Sequence, residues 1–138
     1  MIVIDKKILR QISKEVTQQE VENLDLINKL RTATKTAWAE GCGLAAIQIG
    51  IPLRFAWCRY ANKDFILFNP IITKTWGVDI AKEGCLSIPH NYVEVERAWT
   101  IEYISGGKKR KKHKVSGFLA RIIQHEIDHM DGILNIEK

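Results

Sequence analysis

Gln124-His125-Glu126-Ile127-Asp128-His129 is the stretch from which the rest of the chain can be read. On a helix, residues four apart are turned by about 40°, so His125 and His129 stack one turn above another on one face. Two imidazoles so placed can grip one metal ion. Glu126 sits about 100° round from His125, beside such an ion, where a carboxylate can take a proton from metal-bound water. The match to HExxH is short enough to recur by chance, and a surface helix with two unrelated histidines is the plain alternative. Phe118 and Ile122 argue against it: each stands seven residues before one of the histidines, on the same stripe. The histidines therefore face a core, where buried imidazoles need partners and a metal supplies them.

The 138 residues suffice for one domain, 1–138, with a core of its own. With 46% hydrophobic and 27% charged residues the composition is that of an ordinary soluble protein. No apolar run approaches the roughly 20 residues of a membrane span, and Met1-Ile2-Val3-Ile4-Asp5 is too short and too soon charged for a signal peptide. The expected setting is the cytoplasm, or the reducing compartment of an organelle or infected host, and not the secreted space. Cys42, Cys58 and Cys85 cannot all pair and are expected as thiols. The net charge of +5 comes from Lys108, Lys109, Arg110, Lys111, Lys112 and Lys114; without those six it would be −1.

An amphipathic opening, Asp5 to Ser13, carries Ile8, Leu9 and Ile12. Thr17-Gln18-Gln19-Glu20 reads as a capping box, followed by one long helix with apolar positions from Val21 to Ala37 and a glycine cap at Gly41. Leu53 to Tyr60 and Asp64 to Phe68 predict a hairpin about Ala61-Asn62-Lys63. Further strands are expected at Ile71 to Trp76 and Tyr92 to Arg97, and over Trp99, Ile101 and Tyr103, which alternate with polar residues. Gly106-Gly107 marks a turn. Ser116 is a candidate N-cap for the last helix, which should stop at Asp131-Gly132. The fold class is α+β: an N-terminal helix, then antiparallel or mixed sheets packed around a central C-terminal metal-binding helix.

A catalytic zinc-type site has three protein ligands and one open position. Only nine residues follow His129, and Asp131 and Glu137 among them are poorly placed, so the third ligand is sought upstream. Cys85, in Glu83-Gly84-Cys85-Leu86-Ser87-Ile88-Pro89, is the best candidate, since a thiolate beside two imidazoles suits zinc or ferrous iron. From the residues alone it could equally be a nucleophile with His125 as base, or a buried small apolar side chain.

Three segments, in order, are similar to motifs of the peptide deformylase family. Gly41-Cys42-Gly43-Leu44-Ala45-Ala46-Ile47-Gln48 resembles GxGLAAxQ, Glu83 to Ser87 resembles EGCLS, and Gln124 to Gly132 resembles QHExDHLxG. The resemblance runs over essentially the whole chain. It implies metal-dependent hydrolysis of the N-formyl group of formyl-methionyl nascent polypeptides, releasing formate. Cys85, His125 and His129 would hold one divalent ion, Fe2+ natively, with Zn2+, Ni2+ or Co2+ as substitutes. Water would fill the fourth position, and Glu126 would accept its proton. The Gln48 amide and the Leu86 backbone N–H would face the charge developing on the formyl oxygen. The peptide would lie extended beside Gly43 and its neighbours Cys42 and Leu44, with Phe118 and Ile122 walling a pocket for the methionine side chain.

Met130 stands where the family has leucine, a volume-conserving exchange. Cys42 is read as tolerated packing and Cys58 as core. In many bacterial members a C-terminal helix follows the metal motif and is implicated in ribosome docking; the present sequence resembles a short form ending at Glu137-Lys138, so that contact does not carry over. Lys108 to Lys114 reads as a solvated hairpin tip and the strand leaving it; the alternative is a transient, salt-dependent contact with ribosomal RNA. The chain is expected to act as a monomer. Two other function classes stay in view: a broader metallopeptidase, which formylated and unformylated peptides would separate, and a non-catalytic metal module closing a four-ligand site with His90 or Cys42. Glu126 and Gln48, neither of them ligands, argue against the latter.

Overall fold

The computed structural model describes residues 2–34 and 42–138. Helix α1 (Lys6–Leu9) begins where the Asp5 carboxylate accepts from the Lys7 N–H at 2.9 Å. It is shorter than the opening pattern predicts: Leu9 is fully buried, but Ile12 is 74% exposed and has no core to meet. The capping box forms as expected, with Thr17 Oγ1 accepting from the Glu20 N–H and Glu20 Oε1 from the Thr17 N–H. What it caps is a single turn, α2 (Gln18–Val21). The expected long helix is interrupted at Glu22-Asn23, because the Asn23 side chain accepts from the Asp25 N–H and starts a new helix, α3 (Leu24–Thr34). The expected continuation through Ala37 to a cap at Gly41 lies outside the described residues.

Strands β1 (Cys42–Ala45), β2 (Phe55–Tyr60) and β3 (Lys63–Phe68) form one antiparallel sheet in that order. A 3-10 turn, Ala46–Ile49, follows β1. The β2–β3 connection is the two-residue turn Ala61-Asn62, with φ of 53° and 63°, the left-handed pair whose twist suits a hairpin. β4 (Ile71–Trp76) matches its predicted span. It pairs with β7 (Thr100–Ser105), which pairs in turn with β8 (Lys111–Ser116). β5 (Asp79–Cys85) and β6 (Ile88–Arg97) make a separate long hairpin. The pattern of apolar residues missed β5 for a physical reason: its inward positions are Ala81, Glu83 and Cys85, and a buried glutamate breaks the alternation.

Helix α4 (Gly117–Met130) lies against β1 and β2 on one side and β7 and β8 on the other. Ala120, Ile123, Ile127 and Met130 bury into a core with Ala56, Cys58, Leu67, Ile101 and Tyr103. Both sheets thus hold the predicted motif helix, and the α+β reading stands. Ser116 does not cap it with its side chain; that hydroxyl lies 2.7 Å from Thr100 Oγ1 across the β7–β8 pair, and Gly117, at φ 67°, turns the chain into the helix. The helix stops at Asp131 and Gly132 as predicted. A Cβ on Gly132 would come within 2.3 Å of the Arg10 carbonyl oxygen.

The basic segment is better fastened than a free hairpin tip. The Lys108 N–H donates to Gln18 Oε1, the Gly106 N–H to the Phe68 carbonyl, and Arg110 to the carbonyls of Gly106 and Asn69. Lys108, Lys109, Lys111, Lys112 and Lys114 remain exposed. No helix among the described residues is long and apolar enough to cross a membrane.

Candidate metal centre

The four-residue spacing on α4 brings His125 Nε2 and His129 Nε2 to 3.2 Å, and the end of β5 places Cys85 Sγ 3.4 Å from His129 Nε2. Among the described residues these three form the group whose ligand atoms lie within 4.8 Å of one another. Ideal tetrahedral bonds of zinc to nitrogen and sulfur would separate two nitrogens by about 3.3 Å and a nitrogen and a sulfur by about 3.6 Å. The two close separations match those edges, and the donor set suits a borderline divalent ion. Cys42 is not part of the group, and the His90 side chain lies outside the described structure.

His125 is aimed from behind. Its Nδ1 lies 2.8 Å from Glu83 Oε1. Glu83 takes a two-point ion pair from Arg97 at 2.8 and 2.9 Å and a third bond from Arg121 at 2.5 Å. Arg97 also grips Asp128, while Arg121 reaches the carbonyls of Val95 and Asp79. Burial alone would raise the Glu83 pKa, but the bonds from Arg97 and His125 outweigh it and hold the carboxyl well below its usual range. An ionised Glu83 keeps the proton on Nδ1 and turns the Nε2 lone pair toward the other ligands.

Burial works to lower the His125 pKa, yet hydrogen bonding to Cys85 and Glu83 and the nearby Glu126 charge push it up to about 10. A proton on Nε2 and a metal there exclude each other. The negative surroundings that favour the one favour the other, so the site is built for positive charge. Burial drives His129 well below the ordinary histidine value, the state in which a ring nitrogen is free to ligate. Burial also pushes Glu126 up to about 7, and its Oε1 is buried without a hydrogen-bond partner. That orphaned acceptor beside three converging donors fits a site that handles a proton next to a metal ion.

Gln48, 1% exposed in the 3-10 turn after β1, accepts from the Ala45 N–H through Oε1 at 3.0 Å. Its Nε2 donates to Ser87 Oγ at 3.0 Å and approaches Cys85 Sγ at 3.7 Å. Leu86 follows Cys85 in the turn of the β5–β6 hairpin. A cavity of about 520 Å3 opens here, lined by Cys42, Gly43, Leu86, Phe118, Ile122 and Glu126 among others. Ile122 is nearly buried, whereas Phe118 is 50% exposed, so the stripe runs from core to cavity mouth. Gly43 leaves room for the Glu126 carboxylate: a Cβ there would meet Glu126 Oε2 at 2.5 Å and displace it.

The Leu44 side chain is fully buried in a second core with Val16, Leu30, Phe55 and Trp57 and does not line the cavity. Only its backbone is on offer to a peptide. Glu83, Ser87, Arg97 and Arg121 are the residues to which the sequence reading assigned no role. The signals were present: Glu83 and Ser87 stand inside the second motif, and Arg121 lies four residues before His125 on the buried face of α4. Gln124, in the third motif, braces the helix, its amide bonding the Ala98 N–H and carbonyl at 3.0 and 2.9 Å.

Residues 1–138 match the model of the polypeptide deformylase family. The peptide deformylase of Helicobacter acinonychis is 41% identical over 145 residues, spanning 96% of this chain and 80% of that protein. The crystal structure of peptide deformylase from Thermotoga maritima superposes with a TM-score of 0.92 at 30% identity, covering 100% of this chain and 95% of the other. The Met-Ala-Ser-bound class I type b peptide deformylase of Acinetobacter baumannii gives 0.89 at 26% identity, covering 99% and 96%.

Proposed function

We propose, from the premise that this chain belongs to the polypeptide deformylase family and removes the formyl group from formyl-methionyl peptides, a role for each residue around the metal centre. Cys85, His125 and His129 hold the divalent ion, which when bound lowers the pKa of water and polarises a carbonyl. Glu126 takes a proton from the attacking water. As the water oxygen bonds to the formyl carbon, the Gln48 amide and the Leu86 N–H face the oxygen on which charge develops. Glu126 then delivers the proton to the amine nitrogen while the C–N bond breaks, leaving formate and a free N-terminus. The partnerless Oε1 of buried Glu126, beside the three converging donors, is the single observation that carries this assignment.

The formyl-peptide lies along β1. Among the described residues that strand pairs with β2 alone, Gly43 removes the side chain that would block approach, and the methionine enters the cavity between Phe118 and Ile122. The similar Acinetobacter baumannii enzyme has been crystallised with Met-Ala-Ser bound, which supports a site for a methionyl peptide here. We take Fe2+ as the native ion, with Zn2+, Ni2+ or Co2+ able to replace it, because the family resemblance implies it; the sulfur and nitrogen donors suit iron and zinc alike. The chain works as one catalytic domain and as a monomer, in the cytoplasm or a comparable reducing compartment where its three free cysteines stay thiols.

The test is anaerobic purification with metal analysis, followed by formate release from a panel of formyl-methionyl peptides. Formate release with unformylated peptides left intact is expected; cleavage of unformylated peptides, or none of formylated ones by metal-loaded protein, overturns the reading. A transient contact of Lys108–Lys114 with ribosomal RNA is the partner we infer for the exposed lysines on their fastened hairpin. Co-sedimentation with ribosomes that survives reversal of those lysines to glutamate excludes it.

A further inference from the structure

Gln48 joins two parts of the chain that are distant in sequence. Its Oε1 accepts from the Ala45 N–H at the end of β1, and its Nε2 donates to Ser87 Oγ in the turn of the β5–β6 hairpin, both at 3.0 Å. The orientation follows from the partners: a backbone N–H can only donate, so the oxygen must face Ala45 and the nitrogen Ser87. A primary amide nitrogen carries two hydrogens. With one committed to Ser87, the other is directed at Cys85 Sγ, to which Nε2 donates a long bond of 3.7 Å where the metal ligands converge.

The geometry points to Ser87 as a positioning residue for deformylation, its hydroxyl clamping the Gln48 amide so that the second N–H faces the formyl oxygen. The terminal torsion of glutamine is soft, and the bond from Ala45 together with a long 3.7 Å bond to a thiol holds the amide only loosely about it. Ser87 closes that freedom. Because Ser87 directly follows Leu86, the same bond ties the two donors of the oxyanion site to each other. Ser87 is 3% exposed, and with Gln48 buried beside it no solvent can take over the bond. The inference rests on the role given to Gln48 above.

A double-mutant cycle of Ser87→Ala and Gln48→Ala, with kcat, KM, metal content and thermal midpoint measured on each protein, tests it. Removing an oxyanion donor outright costs about 100- to 1,000-fold, so mispositioning one should lower kcat of Ser87→Ala by about 10- to 100-fold. KM and the metal stoichiometry should hold, Ser87→Thr should recover most of the loss, and Ser87→Ala should cost little further kcat once Gln48 is alanine. An unchanged kcat, an effect on KM alone, loss of metal, or an equal loss in both backgrounds overturns the proposal. Ser87→Gly, acceptable in a turn, decides the matter should Ser87→Ala fail to fold. Full activity in Gln48→Ala would instead sink the role of Gln48, whereas loss there with none in Ser87→Ala would sink Ser87 alone.

Discussion

Replacing Gly43 by alanine adds a single methyl group, and the structure says where it goes. The new Cβ would lie 2.5 Å from Glu126 Oε2 and 2.9 Å from its Cδ and Cγ, whereas ordinary contact begins near 3.4 Å. One partner must therefore move by close to an ångström. Glu126 is 2% exposed and fixed on a helix packed between two sheets, and β1 is held by its full register with β2, so neither can retreat freely. A displacement of about 1 Å at a reacting group costs on the order of 100-fold in rate. kcat/KM for a formyl-methionyl peptide should fall by about that factor. Metal content should stay at one per chain, because Cys85, His125 and His129 are untouched. The assay is a coupled measurement of formate with metal analysis of the same preparation. Activity within threefold of the parent would mean that Glu126 does not occupy the position assigned to it, and the reasoning would fail.

Glu126→Ala should keep the metal and abolish formate release; loss of metal with the fold retained would make Glu126 a ligand rather than a base. Cys85→Ser should weaken the metal or exchange it, and unchanged stoichiometry and activity would remove Cys85 from the site. Glu83→Gln takes from Arg97 and Arg121 the carboxylate they share and leaves them only Asp128 and Asp79 at the edges of the network, so the loss should fall below the roughly 3–5 kcal/mol of a buried charge left wholly unpaired. It also frees His125 Nδ1, for which a 10- to 100-fold weaker metal affinity is the usual scale. Titration with a competing chelator and a thermal melt check both; a melt and affinity equal to the parent's would show that Glu83 does not brace His125.

The residues that could hold a metal were legible because ligand chemistry is local. Two histidines four apart on an amphipathic helix declare their common face before any fold is known, and the short motifs around Cys85 and Gln48 name the other parts of the site. What was not legible depends on long-range partners. β5 escaped because Glu83 occupies an inward position that strand periodicity reserves for apolar side chains, and Arg97, Arg121 and His125, 14, 38 and 42 residues away, make that burial tolerable. The long helix was overestimated because apolar spacing continues across Asn23, while the side-chain bond that restarts the helix there is a choice between two acceptable local structures. Leu44 shows a third limit: its place beside an extended peptide would be taken by its backbone alone, because in a strand the backbone and the side chain of one residue can serve different neighbours, and its side chain belongs to the second core.

The buried charges behind His125 are hard to explain as a source of stability. Burying ion pairs removes them from water at a cost that often cancels their attraction, and apolar replacements of similar shape are frequently as stable or more so. Glu83, Arg97 and Arg121 are all buried, and Asp128 and Asp79 complete the network at its edges. Their arrangement makes sense at the metal instead. Glu83 alone would orient His125 but would add its charge to those of Cys85 and Glu126, deepening the negative field and raising the pKa of the base. Indeed Glu83 acts to raise the Glu126 pKa, while Arg97 acts to lower it. The arginines let the chain place a carboxylate against the ligand without leaving Glu126 too reluctant to ionise. The polar interior thus separates two demands on one small region: a fixed, anionic partner for His125, and a neighbouring carboxylate free to take up and release a proton.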